Sequence, residues 1–172
     1  LSATAFPSGI TGVPVEVIES VAPIRMRKRE LLADTGGAGK FRGGLGQEMI
    51  LEVLTGKPAT HSCMYDRTKF SARGFHGGLD GAPGEVIRSD GYRPHPKSRY
   101  TLQPGQTVTL RLPGGGGFYS PLERDPAFVL EDVKQGYVSI EAAREKYGVV
   151  IVDERVDEEG TKEERLKMKS SA

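Results

Sequence analysis

"TVTLRLPGGGGFYSPLERDPAFVLEDVKQG", residues 107–136, changes its period half-way, and that change decides the fold class. Val108, Leu110 and Leu112 alternate with Thr107, Thr109 and Arg111, the two-residue repeat of a half-buried strand. Beyond the glycine run, Phe128, Val129, Asp132 and Val133 fall at helical spacing. Asp125 stands where an N-cap belongs, Pro126 at the first helical position and Gly136 at the C-cap. "SIEAAREKYG", residues 139–148, repeats the plan. Ser139 caps, Ala142, Ala143 and Tyr147 form the buried stripe, and Gly148 ends the helix; with Ala at 142 there is no capping box. Strands therefore precede helices rather than alternate with them. This predicts an α+β fold: a mainly antiparallel β domain with two C-terminal helices and a charged tail.

The same alternation runs back toward the N-terminus. In "VPVEVIESVAPIRMRKRE", residues 13–30, Ile24, Met26 and Lys28 alternate with Arg25, Arg27 and Arg29, which predicts a strand with one strongly cationic face. "VEVIESV" fits either a strand or a short helical turn, and its length does not decide between them. Residues 1–12 read as irregular, with "FPSG" a turn signal. Further strands are expected at Glu48–Leu54, at "ATHSCMYD" (59–66), at "EVIRS" (85–89) and in "RYTL" (99–102), with turns at "TGKP", "DGYRP" and "QPGQ". After the helices, "VVIV" (149–152) is a short apolar strand. Residues 153–172 are charged almost throughout and read as a solvated helix with a frayed end. The expected organisation is one β-rich domain over residues 1–152 and a tail over 153–172.

Composition narrows the function classes. With 172 residues the chain is long enough to bury a real core. Its 24 Lys and Arg against 23 Asp and Glu leave a net charge of +1, with no basic surplus for nucleic acid. No apolar run is long enough to span a bilayer, and "LSATAFPSGI" lacks the charged and apolar regions of a secretory signal. The missing initiator Met suggests a chain that begins inside a longer protein. One Cys allows no internal disulfide and favours a reducing, cytoplasmic compartment. Gly (23) and Pro (11) make about a fifth of the chain, and they cluster beside good strands, so they read as loops on a β scaffold.

The densest cluster is "LLADTGGAGKFRGGLGQ", residues 31–47, which fails both well-known phosphate patterns. Phe41 follows Gly39-Lys40 where a P-loop needs Ser or Thr, and Asp34 stands where its first glycine belongs. Arg42 occupies the last glycine of the dinucleotide fingerprint, and a strand rather than a helix follows, so no helix N-terminus offers donors to an anion. What survives is close backbone approach at Gly36, Gly37, Gly39, Gly43 and Gly44, with Lys40 and Arg42 free to pair with Asp34 or with a partner's carboxylates. Gly114, Gly115, Gly116 and Gly117 carry nothing ionisable. They read as a tight passage against another surface, or as backbone N–H groups cradling an oxyanion.

Three histidines complete the inventory. In a strand His61 and Cys63 share a face, which would suit a thiol–imidazole pair or half a zinc site, or simply a small buried hydrophobe. His76, between Gly74 and Gly77-Gly78, is the histidine best placed to reach a ligand. His95, between Pro94 and Pro96, sits on an extended exposed loop. The acidic residues of 153–164 are interspersed with Lys and Arg, as on a solvated face. The residues alone supply no complete catalytic constellation and no metal site.

The order of several segments is nevertheless distinctive. "FPSGITGVPVEVIES", "RELLADTGGAGKFRGGLGQ", "LQPGQTVTLRLPGGGGFYSPLERDP", "VLEDVKQGYVS" and "EAAREKYGVV" together resemble the hydantoinase B/oxoprolinase family from about Phe6 to Val152. Thr35 stands where that family commonly has Ser, and Tyr119-Ser120 where Gly-Asp is common. The resemblance covers only the C-terminal part of the family's subunit. It implies part of an ATP-dependent cyclic amide hydrolase of the N-methylhydantoin, hydantoin or 5-oxoproline class, with acetone- and acetophenone-type ketone carboxylases as the related alternative and a scaffolding subunit as a third. It also implies an A-type partner with an actin-like ATPase fold that phosphorylates the substrate, a hetero-oligomer, and a divalent metal held by residues upstream. On that basis the segment binds no cofactor itself and is inactive alone. Asp34, Lys40, Arg42, His76 and the two glycine runs are then its candidates for contact with substrate or a neighbouring domain.

Overall fold

The computed structural model describes residues 12–170; the predicted "FPSG" turn and the last two residues of the tail lie outside them. A short helix, α1 (Val15–Val21), leads into strands β1 (Ile24–Leu31), β2 (Gln47–Val53), β3 (Ala59–Ser62), β4 (Glu85–Arg88), β5 (Arg99–Leu102) and β6 (Thr107–Arg111). A 3₁₀ turn (Pro121–Glu123) then precedes helices α2 (Pro126–Lys134) and α3 (Ile140–Tyr147), the hairpin β7 (Ile151–Val152) and β8 (Arg155–Val156), and helix α4 (Glu158–Ser170). Every paired strand is antiparallel, and α2, α3 and α4 follow the main sheet, so the fold is α+β as expected.

The main sheet has the order β1-β2-β6-β4, and β3 pairs with β5 in a second, two-stranded sheet. The strict alternation of β6 places Val108 and Leu110 on the inner face, opposite Leu51 and Met49 of β2 and beside Val86 of β4. These residues form one apolar cluster with Val53, Cys63 and Leu102, so β3 and β5 cover that face. The outer face carries an ion-pair ladder. Glu48 accepts from Lys28 and from Arg111, each at 2.8 Å, and Arg111 also reaches Glu85 at 3.3 Å.

One expectation for β1 fails. A bulge between Met26 and Lys28 shifts the register, so Arg25 pairs with Glu52 but Lys28 pairs with Ile50 and Arg29 with Met49. Partners in an antiparallel pair share a face, so the extra residue moves Lys28 onto the ion-pair face and turns Arg29 away from it. Arg29 donates instead to the carbonyl of Val13. The open question at "VEVIESV" resolves as helix α1, none of whose residues is buried.

The helical layer follows its caps. Asp125 accepts from the N–H of Ala127, Ser139 from that of Ala142, and Gly148 takes the left-handed conformation that ends α3. Val129, Ala142, Ala143, Tyr147 and Val149 are buried together, and burial pushes the Tyr147 phenol up to about 12. Phe128 departs from the expected stripe: it lies outside, under the guanidinium of Arg124 at 5.8 Å. The charged tail is helical through Ser170 and docked. Its Thr161 is buried and accepts from the N–H of Val150, while Arg165 donates to the carbonyls of Tyr147 and Arg124.

Candidate functional site

The glycine-rich segments come together between the sheet and the helices. One follows β1 (32–46), one precedes β4 (72–84) and one follows β6 (112–120). They are bonded to one another through their main chains. Gly37 N–H donates to Gly115 at 2.8 Å, Gly115 to Gly44 at 2.8 Å, Gly117 to Leu79 at 2.9 Å and Gly114 to Ala82 at 3.0 Å. Such spacing leaves no room for side chains. A Cβ on Gly43 would overlap the carbonyl of Gly115, and one on Gly117 the carbonyl of Ala38. Gly36 faces Gly43 and Gly44, Gly39 faces Phe118, and Gly116 faces Arg73.

The close approach expected of these glycines is thus made within this chain. Because the N–H groups of Gly114, Gly115 and Gly117 are already spent on carbonyls, they do not form the oxyanion cradle considered from sequence.

Asp34 and Arg42 fasten this bundle to the helices, and they do not pair with each other. Asp34, in the left-handed conformation at φ 61°, donates its N–H to Tyr137 and accepts from the N–H of Ser139 at 2.9 Å. Arg42 grips Asp132 of α2 and lies over the Tyr137 ring at 5.5 Å. Lys40 pairs with Glu123 at 3.6 Å on the surface. The sequence reading missed Asp132 as a partner, although its place on the buried stripe of α2 was a signal, since a carboxylate there demands a cation.

His61 and Cys63 do not act on each other. Nδ1 of His61 lies 2.6 Å from the hydroxyl of Tyr100 and Nε2 lies 3.2 Å from that of Tyr65, so both ring nitrogens are occupied. Burial lowers the His61 pKa and raises that of the Cys63 thiol, which leaves Cys63 a buried small hydrophobe rather than a thiolate. His76 is exposed at φ 50°, stacked on Tyr119. Nδ1 of His95 accepts from the N–H of Lys97.

Among the described residues no three His, Cys, Asp or Glu side chains gather as a metal-ligand group, so the divalent metal implied by the resemblance finds no fitting donor set here. No described helix is long and apolar enough to cross a membrane.

A cleft of about 760 Å³ lies between the glycine bundle and the 93–96 arm. Lys69, Arg93, His95 and Arg111 line it with Glu85, against apolar walls such as Leu32 and Pro83. Glu85 pairs with both Arg93 and Arg111. The excess of cations suits a small anionic group. Pro94 and Pro96, read in sequence only as marking an exposed loop around His95, line the cleft with it.

The hydantoinase B/oxoprolinase family matches residues 1–121, which span all three glycine segments. The chain belongs to the hydantoinase B/oxoprolinase family. Protein MJ0963 of Methanocaldococcus jannaschii is 41% identical over 159 residues, covering 88% of this chain and 28% of that protein. Caprolactamase subunit beta of Pseudomonas jessenii is 38% identical over 145 residues, covering 80% of this chain and 25% of that subunit. The solved ATP-dependent caprolactamase from the same organism superimposes with a TM-score of 0.73 at 34% identity, over 89% of this chain and 28% of that one. Nucleotide-free acetone carboxylase superimposes with a TM-score of 0.80 at 26% identity, over 96% and 27%. The chain thus spans 25 to 28% of the length of these relatives.

Proposed function

We propose that this chain is the glycine-bundle domain of a hydantoinase B-type subunit, within an ATP-dependent enzyme that opens small cyclic amides. The observation that carries this reading is the family match across the three segments that build the bundle. An amide carbonyl is a poor electrophile. Phosphorylation of its oxygen by an A-type ATPase subunit makes the carbon electrophilic, and the B-type subunit then directs water to it. The ring C–N bond breaks with the nitrogen leaving as a protonated amine, and the acyl phosphate so formed is hydrolysed to carboxylate and phosphate. ATP belongs to the partner subunit and a divalent metal to the remainder of the B-type subunit, where it would polarise the carbonyl or activate water. This chain frames the substrate: the bundle sets the spacing, and the cleft lined by Lys69 and Arg93 offers cations.

The test is a segment exchange. Caprolactamase subunit beta carrying this chain in place of its matching segment is expected to assemble and to retain ATP-dependent lactam hydrolysis. The isolated 172-residue chain is expected to open neither hydantoin, 5-oxoproline nor caprolactam with ATP present. Ring opening by the isolated chain would overturn the framing role, and a chimera that fails to assemble would overturn the subunit assignment. A ketone-carboxylase subunit is the second reading, favoured by the larger structural overlap with acetone carboxylase, 0.80 against 0.73. The same exchange into the acetone carboxylase alpha subunit, read by carboxylation, separates the two.

A further inference from the structure

The three glycine segments bring their rings together in one patch. Phe41 belongs to the first, Phe75 and His76 to the second, and Phe118 and Tyr119 to the third. Phe118 lies in the middle, its centroid 6.3 Å from Phe41 and 6.0 Å from Phe75, the latter pair within 8° of parallel. His76 stacks on Tyr119 at 5.4 Å and meets Phe75 edge-on at 4.2 Å. The backbone beneath is locked. Phe41 and Phe118 exchange hydrogen bonds of 3.1 and 3.0 Å, and Tyr119 N–H donates to Phe75 at 3.0 Å.

Yet the rings stand in water. Phe75 is 63% exposed, Phe41 58%, Tyr119 40% and Phe118 37%. His76 and Tyr119 also hold φ at 50° and 59°, a region disfavoured for residues with side chains. The backbone is bonded within the chain, but the row of rings it carries, two of them on left-handed residues, is not buried by the chain. This suits a preorganised surface whose rings are buried by something else. The exposed Lys40–Glu123 pair, next to Phe41 in sequence, supplies the polar rim usual at such surfaces.

We infer that this ring patch is the docking surface for the part of a hydantoinase B-type polypeptide that lies outside the matched segment. The inference rests on the subunit reading above. Two observations select this occupant. The matched relatives carry the equivalent of this chain within polypeptides of which it covers only 25 to 28%, so the same surface there shares a chain with much more protein. The bundle's other side is already taken inside this chain, by Asp34, Ala38 and Arg42 against the helices.

Co-expression of this chain with the stretch of caprolactamase subunit beta outside the match provides the test, with co-purification as readout. The unchanged chain is expected to co-elute. The double substitution Phe41→Ser, Phe75→Ser is expected to lower the co-eluting fraction by about tenfold. Val21→Ser, on α1 and 80% exposed, should leave it unchanged. Thermal melting of the double variant close to that of the parent separates lost docking from lost folding. If the double variant co-elutes like the parent, docking uses another face: this inference falls and the subunit reading stands. If the unchanged chain does not co-elute, the subunit reading falls and takes the inference with it. Self-association of the chain alone, abolished by the same two substitutions, would assign the patch to a second copy and overturn the inference.

Discussion

Arg42 and Asp132, 90 residues apart in sequence, meet through two hydrogen bonds, Nε to Oδ2 at 3.2 Å and Nη2 to Oδ1 at 3.1 Å. Arg124 shares the same carboxylate at 2.8 Å, and all three side chains are at most 16% exposed. One carboxylate on α2 therefore pairs with two guanidinium groups and clamps the glycine bundle to the helical layer. Asp132→Ala leaves both cations without it and is expected to cost about 3 kcal/mol in urea unfolding. Arg42→Lys keeps the charge but loses the two-pronged grip, for about 1 kcal/mol. Equal, small losses for both would mean that the clamp does not hold the layers together.

The bundle itself predicts an unusual sensitivity to single methyl groups. A Cβ on Gly43 or Gly117 meets main-chain atoms on neighbouring segments, which move only if the segments separate. Gly43→Ala and Gly117→Ala are each expected to lose about 3 kcal/mol or more, with soluble yield and melting temperature as readouts. Gly56, in the turn after β2, has nothing within 4 Å of the point where an added methyl group would stand. Gly56→Ala should change stability by no more than about 0.5 kcal/mol.

These contrasts show what the sequence can and cannot carry. The switch from Val108 and Leu110 at period two to Val129 and Val133 at helical spacing was readable, because side chains record the face they bury. The caps at Asp125, Ser139 and Gly148 were readable for the same reason: each residue type answers a local backbone need. Contact between Gly43 and Gly115 leaves no such record, since a glycine segment has no side-chain period to match with its neighbour. The bulge at Arg27 was hidden by an alternation that continues unbroken through it. The Arg42–Asp132 clamp was half visible, as a charge on a buried stripe whose partner lies too far along the chain to be named. His61 shows a similar limit: its partner Tyr100 is set by the pairing of β3 with β5.

Glu48 makes the outer face of the sheet sensitive to acid. Its side chain is 8% exposed, and hydrogen bonds from Lys28 and then Arg111 hold its carboxyl below the ordinary value of 4.5. A carboxyl depressed in the folded state adds stability above its unfolded pKa and loses it as pH falls through the folded one. Melting temperature should therefore drop below about pH 4.5 more steeply in the parent than in Glu48→Gln. At neutral pH that substitution, which leaves two cations underpaired, is expected to cost about 2 kcal/mol. Parallel melting curves for the two proteins from neutral pH down to acid would remove Glu48 from this role.

His61 sets a second, higher window. Burial disfavours its charged form, so its folded pKa lies below the ordinary 6.5, and both ring nitrogens already face the hydroxyls of Tyr65 and Tyr100. Well above pH 6.5 the ring is neutral in both states and titration costs nothing. As pH falls below 6.5 the unfolded chain takes up a proton that the folded chain refuses, and stability declines until the folded pKa is passed. Melting between about pH 7 and 5 should thus fall in the parent and flatten in His61→Gln, which keeps a polar side chain beside the tyrosines. Ring-proton NMR titration gives the same answer directly: a His61 midpoint at or above 6.5 would contradict the burial argument, whatever the melting curves show.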